Sequence, residues 1–401
     1  MKVGIIGGGP AGICAALEAS KTFKNVTIID KNDFLGRKLS TTGAGKGNLT
    51  NQNIGPASYS AIQDFVFGPL IQLYDYRNLI EYFKNLGIYT YHTDDGWTYP
   101  ISNSAKNVST ILESTILQND IGVIRNTSVV KIEFTQEKFL LDLDNGQKMS
   151  FDKLIISTGG KAHPQLNASD SILEEIKRLG HRIVPSNPAL SPLVTTKQKT
   201  KLLNGVRIDA ETSIFNQGVC IAKTFGNLIF TEWGVNGPAI MDLSHQIFRH
   251  PGKNTLRINF SNSVNTPIIS DLVTKFSLTS QKLVNILLML FPAKIVNQLL
   301  LNANLSQDVL MSQINNKNLM DFLENLFFEE NIIGTRGFEF AQISTGAISS
   351  EYVDSLTLQS KIIKNLYFAG EILDVIGPCG GYNLHWAFIS GIHAGRSIQL
   401  K

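Results

Sequence analysis

Cysteine is scarce in this 401-residue chain, and its scarcity limits the kinds of site that the chain can build. The three cysteines, Cys14, Cys220 and Cys379, include no Cys-x-x-Cys pair. An odd and widely spaced set offers neither a disulfide framework nor a zinc site. We therefore expect no metal centre and a reducing, cytoplasmic environment.

Charge of one sign is also scarce, because 36 Lys and Arg face 33 Asp and Glu, for a net charge of +3. This balance gives no electrostatic reason to expect nucleic acid or an anionic membrane as a partner. The longest apolar run, LVNILLMLF at residues 283–291, is too short to span a bilayer. Met1 leads almost directly into an apolar strand, so we expect no signal peptide. These absences favour a soluble globular protein that acts on a small molecule.

The start of the chain carries a nucleotide-binding signature. In KVGIIGGGPAGICAALEAS, Gly7, Gly9 and Gly12 form a Gly-x-Gly-x-x-Gly motif between a short apolar strand and a predicted helix. The first glycine permits a tight turn, the second lets the backbone approach a pyrophosphate, and the third lets the helix pack on the strand. Pro10 and Ala11 occupy the first turn of this helix, where free N–H groups and the helix dipole favour phosphate.

The residues that follow extend this signature. A second strand, NVTIIDK, leads to Asp30, which lies 18 residues after Gly12. An acid at this position accepts hydrogen bonds from ribose hydroxyls in dinucleotide-binding folds. Residues 31–51, KNDFLGRKLSTTGAGKGNLTN, are rich in Gly, Ser, Thr and Asn and carry Lys31, Arg37 and Lys38. Such a stretch suits an extended ligand held by backbone N–H groups and cations.

The end of the chain is predicted to return to the same site. Residues 129–151 form a predicted β-meander with a DNG turn, and the next strand ends in STGG, which contributes Thr158 and Gly159. A last strand, NLYFAG, delivers Gly370 and Glu371, an acid that suits ribityl hydroxyls. This order of elements is typical of flavoproteins with two dinucleotide-binding folds.

Gly380 and Gly381 open the last helix, whose positive end suits the pyrimidine edge of a flavin, since that edge becomes anionic on reduction. Tyr382 is placed either to flank the flavin or to hold its loop. Asn383 is placed either to cap the helix or to bond the flavin. No second Gly-x-Gly-x-x-Gly follows a strand between residues 160 and 366, so we expect no separate NAD(P) domain. If NAD(P)H reduces the flavin, it must enter the substrate face transiently.

The middle of the chain changes character twice. NPALSPLVTT at residues 187–196 resembles a linker, residues 200–262 have strand-like patterns, and residues 267–331 have apolar residues at helical spacing. We therefore predict an α/β fold with a Rossmann-like, two-dinucleotide-binding FAD domain that is split in sequence. The predicted domains are the FAD domain (1–190 and 345–401), a β-barrel-like, β-rich insert (191–262 and 332–344) and a small helical subdomain (263–331).

Four stretches together resemble bacterial FAD-binding flavoproteins of the aminoacetone-oxidase-like or bile-acid-operon-like NAD(P)/FAD-dependent oxidoreductase family. They are GIIGGGPAG, GRKLSTTGAGKGNLTN, FTEWGVNGPAIMDLS and the region from STGAISSEYVDS to FISGIHAG. The resemblance implies a split Rossmann-like domain, a β-barrel-like insert and a helical lid. It also implies an FAD bound along residues 7–12 and by Asp30, Arg37, Lys38, Gly43, Gly45, Asn48, Val129, Glu371, Gly380, Gly381, Tyr382, Asn383 and Leu384.

Two departures from the family pattern bear on chemistry. Lys46 and Gly47 stand where the family commonly has Arg-Cys, which excludes a thiol at that place. Cys379 stands where a Thr or similar residue is common, so we expect it to be a small residue beside the flavin rather than a catalytic thiol.

The first hypothesis is an FAD-dependent oxidoreductase that transfers hydride between flavin N5 and a small organic substrate or NAD(P)H, with its catalytic residues unassigned. The alternative is a flavin-binding RNA-modifying or regulatory protein that uses the helical insert as a docking module. Clustered Lys and Arg would be expected for the alternative.

Overall fold

The computed structural model describes residues 1–261 and 266–399, which divide into two compact units. Unit 1 contains Met1–Ala189 and the chain from Phe338 onward, and unit 2 contains Leu190–Gly337. Within the described residues, we find no helix with the length and apolar character needed to cross a membrane.

The elements are numbered along the chain. The strands are β1 (Lys2–Ile6), β2 (Asn25–Ile29), β3 (Thr50–Asn51), β4 (Thr90–His92), β5 (Trp97–Pro100), β6 (Gly122–Ile124), β7 (Val129–Thr135), β8 (Lys138–Leu143), β9 (Lys148–Phe151), β10 (Lys153–Ile156), β11 (Ile183–Ala189), β12 (Leu193–Thr195), β13 (Arg207–Asn216), β14 (Val219–Phe230), β15 (Gly234–Asn236), β16 (Asn254–Asn259), β17 (Phe327–Thr335), β18 (Ile343–Ile348) and β19 (Leu366–Phe368). The helices are α1 (Pro10–Ser20), α2 (Gly68–Leu73), α3 (Tyr76–Asn85), α4 (Ala105–Gln118), α5 (Ile172–Arg178), α6 (Pro238–Met241), α7 (Gln246–Arg249), α8 (Thr266–Phe276), α9 (Leu283–Leu288), α10 (Ala293–Asn302), α11 (Asn316–Glu324) and α12 (Tyr382–Ser397).

A five-stranded parallel sheet forms the centre of unit 1, in the order β19-β10-β1-β2-β6. All four residues of β10 are buried, as expected for a parallel strand that is covered on both faces. The first and last strands of the chain thus lie in one sheet, separated by β10. The Rossmann-like α/β fold predicted from the sequence is confirmed.

Helices α1 and α12 pack closely because two glycines of α12 face α1. A Cβ added at Gly391 would lie 2.1 Å from the carbonyl oxygen of Ala11, and one added at Gly395 would lie 2.5 Å from that of Ala15. Only hydrogen fits at such distances, so these two positions set the separation of the helices. The end of the chain is thereby held against the first helix.

Three smaller sheets complete unit 1. Strands β7, β8 and β9 form the predicted antiparallel meander, and β11 pairs with β18. Strands β3, β5 and β4 form a third sheet, in that order. The sequence analysis did not identify this third sheet, since its strands are only two to four residues long.

Unit 2 is built around a closed barrel of six strands, in the order β12-β15-β14-β13-β16-β17. Its core includes the fully buried Leu193, Ile214, Leu256 and Phe328. The barrel confirms the predicted β-rich insert. Helices α8 to α11 lie between β16 and β17 in the sequence, as the helical pattern predicted.

Two sequence predictions for this region are wrong. Residues 187–196 connect the two units, which divide after Ala189, but they are not an irregular linker, because Pro188 lies within β11 and pairs with Ser344, and β12 follows at Leu193. The two prolines misled the prediction, although proline is tolerated at strand edges and bulges. The helical pattern was extended to residue 331, whereas α11 ends at Glu324 and β17 begins at Phe327.

Consecutive apolar residues in NLFF hid the start of β17, where buried and half-buried positions alternate. Strand β18 crosses the predicted insert boundary at residue 344, and the compact units divide after Gly337. The predicted start of the helical subdomain, residue 263, lies outside the described residues. The assignment of separate roles to the predicted domains stays a prediction.

Candidate dinucleotide-binding site

The carboxyl ends of four parallel strands bring together residues from both ends of the chain. The glycine turn follows β1, Asp30 follows β2, Thr158 lies just beyond β10, and Gly370 lies just beyond β19. These strands are neighbours in one sheet, so their carboxyl ends meet at one edge. In open α/β sheets, ligands bind at this edge. The arrangement unites most of the residues that the sequence analysis singled out.

The three motif glycines differ in what the fold requires of them. Gly7 has a φ of 101°, and a Cβ there would lie 2.6 Å from the carbonyl oxygen of Ser157. A Cβ at Gly12 would lie 1.9 Å from the carbonyl oxygen of Gly7, so α1 packs directly on the turn. At Gly9, no atom lies within 4 Å of an added Cβ. Packing therefore does not require glycine at position 9, and the close approach of a pyrophosphate to this position stays a prediction.

The first turn of α1 is open to an anion. The helix begins at Pro10 after Gly9, and no side chain caps it. Asp30 lies beside this turn and is 8% exposed, with its carboxylate accepting hydrogen bonds from Gly8 N and, at 2.7 Å, from Asn32 N. These bonds fix the carboxylate and leave it further acceptor capacity for a ribose hydroxyl. Ribose binding by Asp30 stays a prediction.

Glu371 links the end of β19 to two other segments. Its Oε2 lies 2.9 Å from Lys38 Nζ, and its Oε1 accepts a 2.7 Å hydrogen bond from Ser344 N. The glutamate and the lysine side chains are both partly exposed, so each keeps hydrogen-bonding capacity for a ligand. Arg37, in contrast, pairs with Asp33 at 2.9 Å on the surface.

The remaining predicted residues of the 31–48 region are Lys31, Gly43, Gly45 and Asn48. Gly43 and Gly45 lie in a 3₁₀ segment with φ values of 58° and 85°, and Asn48 Oδ1 accepts a hydrogen bond from Thr98 N at 3.2 Å. Burial lowers the pKa of Lys31, an effect that the negative charge of Asp30 opposes.

Val129 opens β7, two residues after Thr127, whose N–H donates to the carbonyl oxygen of Asp30 at 3.1 Å. Gly159 lies next to Thr158, with a φ of 73°. Both residues therefore lie close in sequence to groups at the edge of the sheet. Their contact with a cofactor stays a prediction.

The small sheet β3-β5-β4 fixes the start of α12. Asn51 Nδ2 donates to the carbonyl oxygen of Gly380 at 3.0 Å. A Cβ at Gly381 would lie 2.4 Å from the carbonyl oxygen of Thr50. The glycine pair thus allows the strand and the helix N-terminus to touch, and no side chain caps the helix.

Tyr382 and Asn383 hold the loop that precedes α12. Asn383 accepts from Gly377 N at 2.9 Å and donates to the carbonyl oxygens of Gly377 and Pro378. Tyr382 is buried, and its carbonyl oxygen accepts a 2.9 Å hydrogen bond from Tyr59 Oη. These contacts favour the loop-holding reading of Tyr382, and they use the Asn383 amide for the loop rather than for the helix cap. Leu384, which follows, is half-buried.

His385 is a fully buried, neutral bridge. Its Nε2 lies 2.9 Å from the carbonyl oxygen of Tyr74, and its Nδ1 lies 2.8 Å from Thr50 Oγ1. Since a carbonyl can only accept, Nε2 carries the proton and Nδ1 accepts from the threonine hydroxyl. Burial lowers the pKa of His385 to about 4, against the opposing hydrogen bond from the ring to Tyr74 O. This residue holds α12 against β3 and does not face a ligand.

The buried His385 should make the protein acid-sensitive. The unfolded chain binds a proton there at its ordinary pKa of about 6.5, whereas the folded chain binds it near 4. The contribution of His385 to the free energy of unfolding is therefore fully present above about pH 6.5. It is lost as the pH falls towards 4, and the loss amounts to roughly 3 kcal/mol. We expect His385→Gln to be less stable than wild type at neutral pH. Its free energy of unfolding should fall less steeply between pH 6.5 and 4, as measured by urea unfolding at several pH values. Equal slopes in both proteins would contradict the assignment.

Thr158 has a buried hydroxyl without a hydrogen-bond partner among the described residues. Its Cα lies 2.8 Å from the position of a Cβ added at Gly7, so the residue borders the glycine turn. A buried hydroxyl without a partner costs free energy, which a ligand that bonds it would recover. The orphaned group lies at the edge of the sheet where a dinucleotide is predicted.

Thr158→Val should separate folding from binding. Valine keeps the branched shape and removes the orphaned hydroxyl, so we expect the ligand-free protein to be as stable as wild type or more stable by about 1 kcal/mol. The same change should weaken FAD binding about tenfold, because one hydrogen bond to the ligand is lost. Fluorescence titration of FAD and thermal unfolding would measure the two effects. Unchanged FAD affinity would show that the hydroxyl has no part in binding.

Several residues of the site region were missed by the sequence analysis. They are Trp97, Ser344 and Asp374. The carboxylate of Asp374 accepts from Ile62 N at 2.7 Å and from Gly346 N at 2.9 Å. Thr50 and Asn51 lie in the predicted stretch 31–51, but their contacts with His385 and Gly380 were not predicted. Each acts through contacts with residues distant in the chain, which no local pattern records. Only the alternation in WTYP gave a signal for a strand. Among residues 1–261 and 266–399, no group of three or more His, Cys, Asp or Glu side chains is placed to hold a metal.

Comparison with known families identifies the class of the chain. The family model described as "HI0933-like protein Rossmann domain" matches residues 1–397. The chain belongs to the HI0933-like family. This membership agrees with the resemblance drawn from the four sequence stretches, and it covers both units of the HI0933-like chain.

Relatives of the HI0933-like protein carry two kinds of name. This chain is 29% identical to a 3-dehydro-bile acid delta(4,6)-reductase from Clostridium scindens, over 99% of this chain and 98% of that protein. It is 28% identical to a ribosomal RNA dihydrouridine synthase from Haemophilus influenzae, over 98% of both proteins. Another protein of that name, from Escherichia coli, is 28% identical over 96% of this chain and 95% of the relative.

Solved structures support the fold of the HI0933-like protein. A 3-ketosteroid-delta4-(5alpha)-dehydrogenase from Rhodococcus jostii matches with a TM-score of 0.50 and 12% identity, over 100% of this chain and 97% of the other. A likeness at this identity shows a shared fold.

The residues of the HI0933-like site fit an FAD. The orphaned Thr158 hydroxyl, the open space at Gly9 and the uncapped first turns of α1 and α12 are all features that a bound dinucleotide would use. These observations come from unit 1 alone.

Proposed function

We propose that this protein is an FAD-dependent oxidoreductase. One observation carries the proposal: the carboxyl ends of β1, β2, β10 and β19 meet at one edge, where the glycine turn, Asp30, Thr158 and Glu371 follow them. When bound, FAD supplies a carrier that accepts and donates hydride at N5. NAD(P)H is the proposed reductant, and it would enter the substrate face transiently, since the sequence has no second Gly-x-Gly-x-x-Gly after a strand between residues 160 and 366.

The protein's own residues would divide the work of holding FAD. The backbone N–H groups after Gly9 would bind the pyrophosphate, and Asp30 would accept from a ribose hydroxyl. Glu371 would accept from the ribityl chain, with Lys38 paired to its carboxylate. The N-terminus of α12, at residues 380–384, would stabilise negative charge on the pyrimidine edge.

The relatives' names suggest a substrate class. A 3-dehydro-bile acid with double bonds at positions 4 and 6 carries carbon–carbon double bonds conjugated to a carbonyl. The 5,6 double bond of uridine, which dihydrouridine formation removes, is likewise conjugated to a carbonyl. We propose that the substrate of this protein is a small, ring-shaped molecule with such a conjugated double bond.

Anaerobic stopped-flow mixing would test this proposal. We expect NADH or NADPH to bleach the bound flavin, and a bile acid with a 3-oxo-4,6-diene to restore the colour without oxygen. The matched control is the same bile acid with a saturated ring, which offers no acceptor and should leave the flavin bleached. Failure of every conjugated acceptor, with rapid reoxidation by air, would contradict the proposed substrate class.

A second candidate is reduction of uridine within ribosomal RNA, favoured by the names of two relatives. Residues 195–201 of unit 2 fold around the buried Glu330, which accepts from Lys199 N at 3.2 Å and Thr200 N at 2.9 Å. The side chains of Lys197 and Lys201 are exposed on this loop, where they would contact phosphates. The net charge of only +3 weighs against this candidate.

Retention on immobilised ribosomal RNA at increasing salt would decide between the candidates. If RNA is the substrate, retention should fall steeply with salt, and Lys197→Ala with Lys201→Ala should reduce the salt dependence. Lys148→Ala, a change of another exposed lysine in unit 1, is the matched control. Salt-independent or absent retention would exclude RNA as the substrate.

A further inference from the structure

The sheet β3-β5-β4 presents one aromatic face beside the predicted cofactor site. In its register, Asn51 pairs with Trp97, and Tyr91 pairs with Tyr99. Since side chains alternate along a strand, Trp97 and Tyr99 point to the same side. Tyr91 joins them, with its ring centroid 6.0 Å from that of Tyr99. We call Trp97, Tyr99 and Tyr91 the aromatic face.

This face remains partly open, although the opposite side of β5 is buried at Thr98. Thr98, which points the opposite way, is fully buried and bonded to Asn48 Oδ1 through its N–H. Trp97 and Tyr99 are half-buried, and Tyr91 is 40% exposed. Three aromatic rings that share one face and keep surface available are typical of binding sites for flat, apolar ligands.

Two contacts place the aromatic face at the predicted flavin site. A Cβ at Gly380 would lie 2.9 Å from Trp97 Nε1, so the indole touches the turn that opens α12. A Cβ at Gly43 would lie 3.6 Å from Tyr99 Cε1, so the phenol borders the 43–48 loop. Both segments are predicted to hold FAD. Two of the three rings therefore border segments that are predicted to bind the cofactor.

We propose that Trp97 and Tyr99 form the surface on which the conjugated ring of the substrate stacks, with Tyr91 extending that surface outward. The inference rests on the proposed function and adds to it the residues that position the substrate. The conjugated atoms of an unsaturated ring are coplanar and stack well on an aromatic side chain, whereas a saturated ring is puckered and stacks poorly. The aromatic face should therefore select the unsaturated substrate over its reduced product.

Equilibrium dialysis of the oxidised, FAD-loaded protein would test this role without turnover. The paired probes are a 3-oxo-4,6-diene bile acid with its saturated counterpart, and, in a second arm, a uridine oligonucleotide with its dihydrouridine counterpart. We expect Trp97→Ala and Tyr99→Ala to weaken binding of the unsaturated member about tenfold and to reduce the preference over the saturated member. Trp97→Phe should keep most of the affinity for the unsaturated probe and most of the preference over the saturated one. The arm that responds identifies the source of the ring.

Controls separate this surface from other roles. His92→Ala changes an exposed residue next to Tyr91 on the opposite side of β4, and it should leave both affinities unchanged. All variants should keep the FAD content of wild type, and Tyr99→Ala tests the surface independently if Trp97→Ala fails to fold. The inference would be overturned if both alanine variants kept the wild-type preference for the unsaturated probe. It would also be overturned if folded Trp97→Ala lost FAD, because the indole would then bind the cofactor and not the substrate. A colourless wild-type protein would instead overturn the proposed function, before any variant is compared.

Discussion

Gly9→Ala should fold like wild type and lose FAD. The added Cβ meets no atom within 4 Å, and Gly9 has a φ of −77°, which any residue adopts without strain. The same methyl group occupies the space through which a pyrophosphate must approach the backbone. We expect the FAD dissociation constant to rise about 100-fold, which corresponds to about 3 kcal/mol. Titration of the apoprotein with FAD would measure this change, beside thermal unfolding of the apoprotein.

Two further alanine variants make this result specific. Gly55→Ala adds a methyl group in open space far along the chain from the motif, and it should change neither stability nor affinity. Gly12→Ala places its Cβ 1.9 Å from the carbonyl oxygen of Gly7, so it should disrupt folding itself. If Gly9→Ala binds FAD as tightly as Gly55→Ala does, no ligand approaches this turn and the predicted site is wrong.

Gly391→Ala should destabilise the protein by about 3 kcal/mol, although glycine to alanine within a helix normally stabilises by about 1 kcal/mol. The sign reverses because the added Cβ would lie 2.1 Å from the carbonyl oxygen of Ala11, and the whole of α12 would have to move from α1. Movement of α12 would also displace the turn at residues 380–381. We therefore expect FAD affinity to fall as well, in the part of the protein that remains folded. Urea unfolding and FAD titration would measure the two losses.

The Cβ of Gly391→Ala clashes with a backbone carbonyl oxygen and not with a side chain, so removal of the nearby side chain is a control. Ala11→Gly removes a neighbouring methyl group but leaves the carbonyl oxygen in place, so the double variant should not regain stability. Ala387→Gly, on a half-buried position of the same helix, should cost only about 1 kcal/mol, as intrinsic helix propensity predicts. A Gly391→Ala protein within about 0.5 kcal/mol of wild type would show that the helices are not held at this distance.

The local part of the site could be predicted from the sequence. The turn at Gly7, the acid at Asp30 and the glycine pair before α12 each depend on a few consecutive residues whose backbone requirements are recorded in their types. The return of the strands that end in STGG and NLYFAG to this site was also predicted, but their parallel order in the sheet, β19-β10-β1, was not. The predicted features need no knowledge of distant contacts.

The rest of the site depends on contacts across the chain. His385 shares its two ring nitrogens between Thr50 and Tyr74, and nothing near residue 385 in the sequence records either partner. Asn383 could serve a cap, a flavin or a loop with the same amide, and only the fold shows that it holds Gly377. The sheet that carries Trp97 was missed because strands of two to four residues are too short for a periodic signal.

The visible absorption spectrum of the purified protein, with chromatography of the cofactor released on denaturation, tests the central claim most directly. We expect a yellow protein that releases equimolar FAD, or an apoprotein that takes up FAD and becomes yellow. A folded protein that is colourless and stays so after incubation with FAD would contradict it.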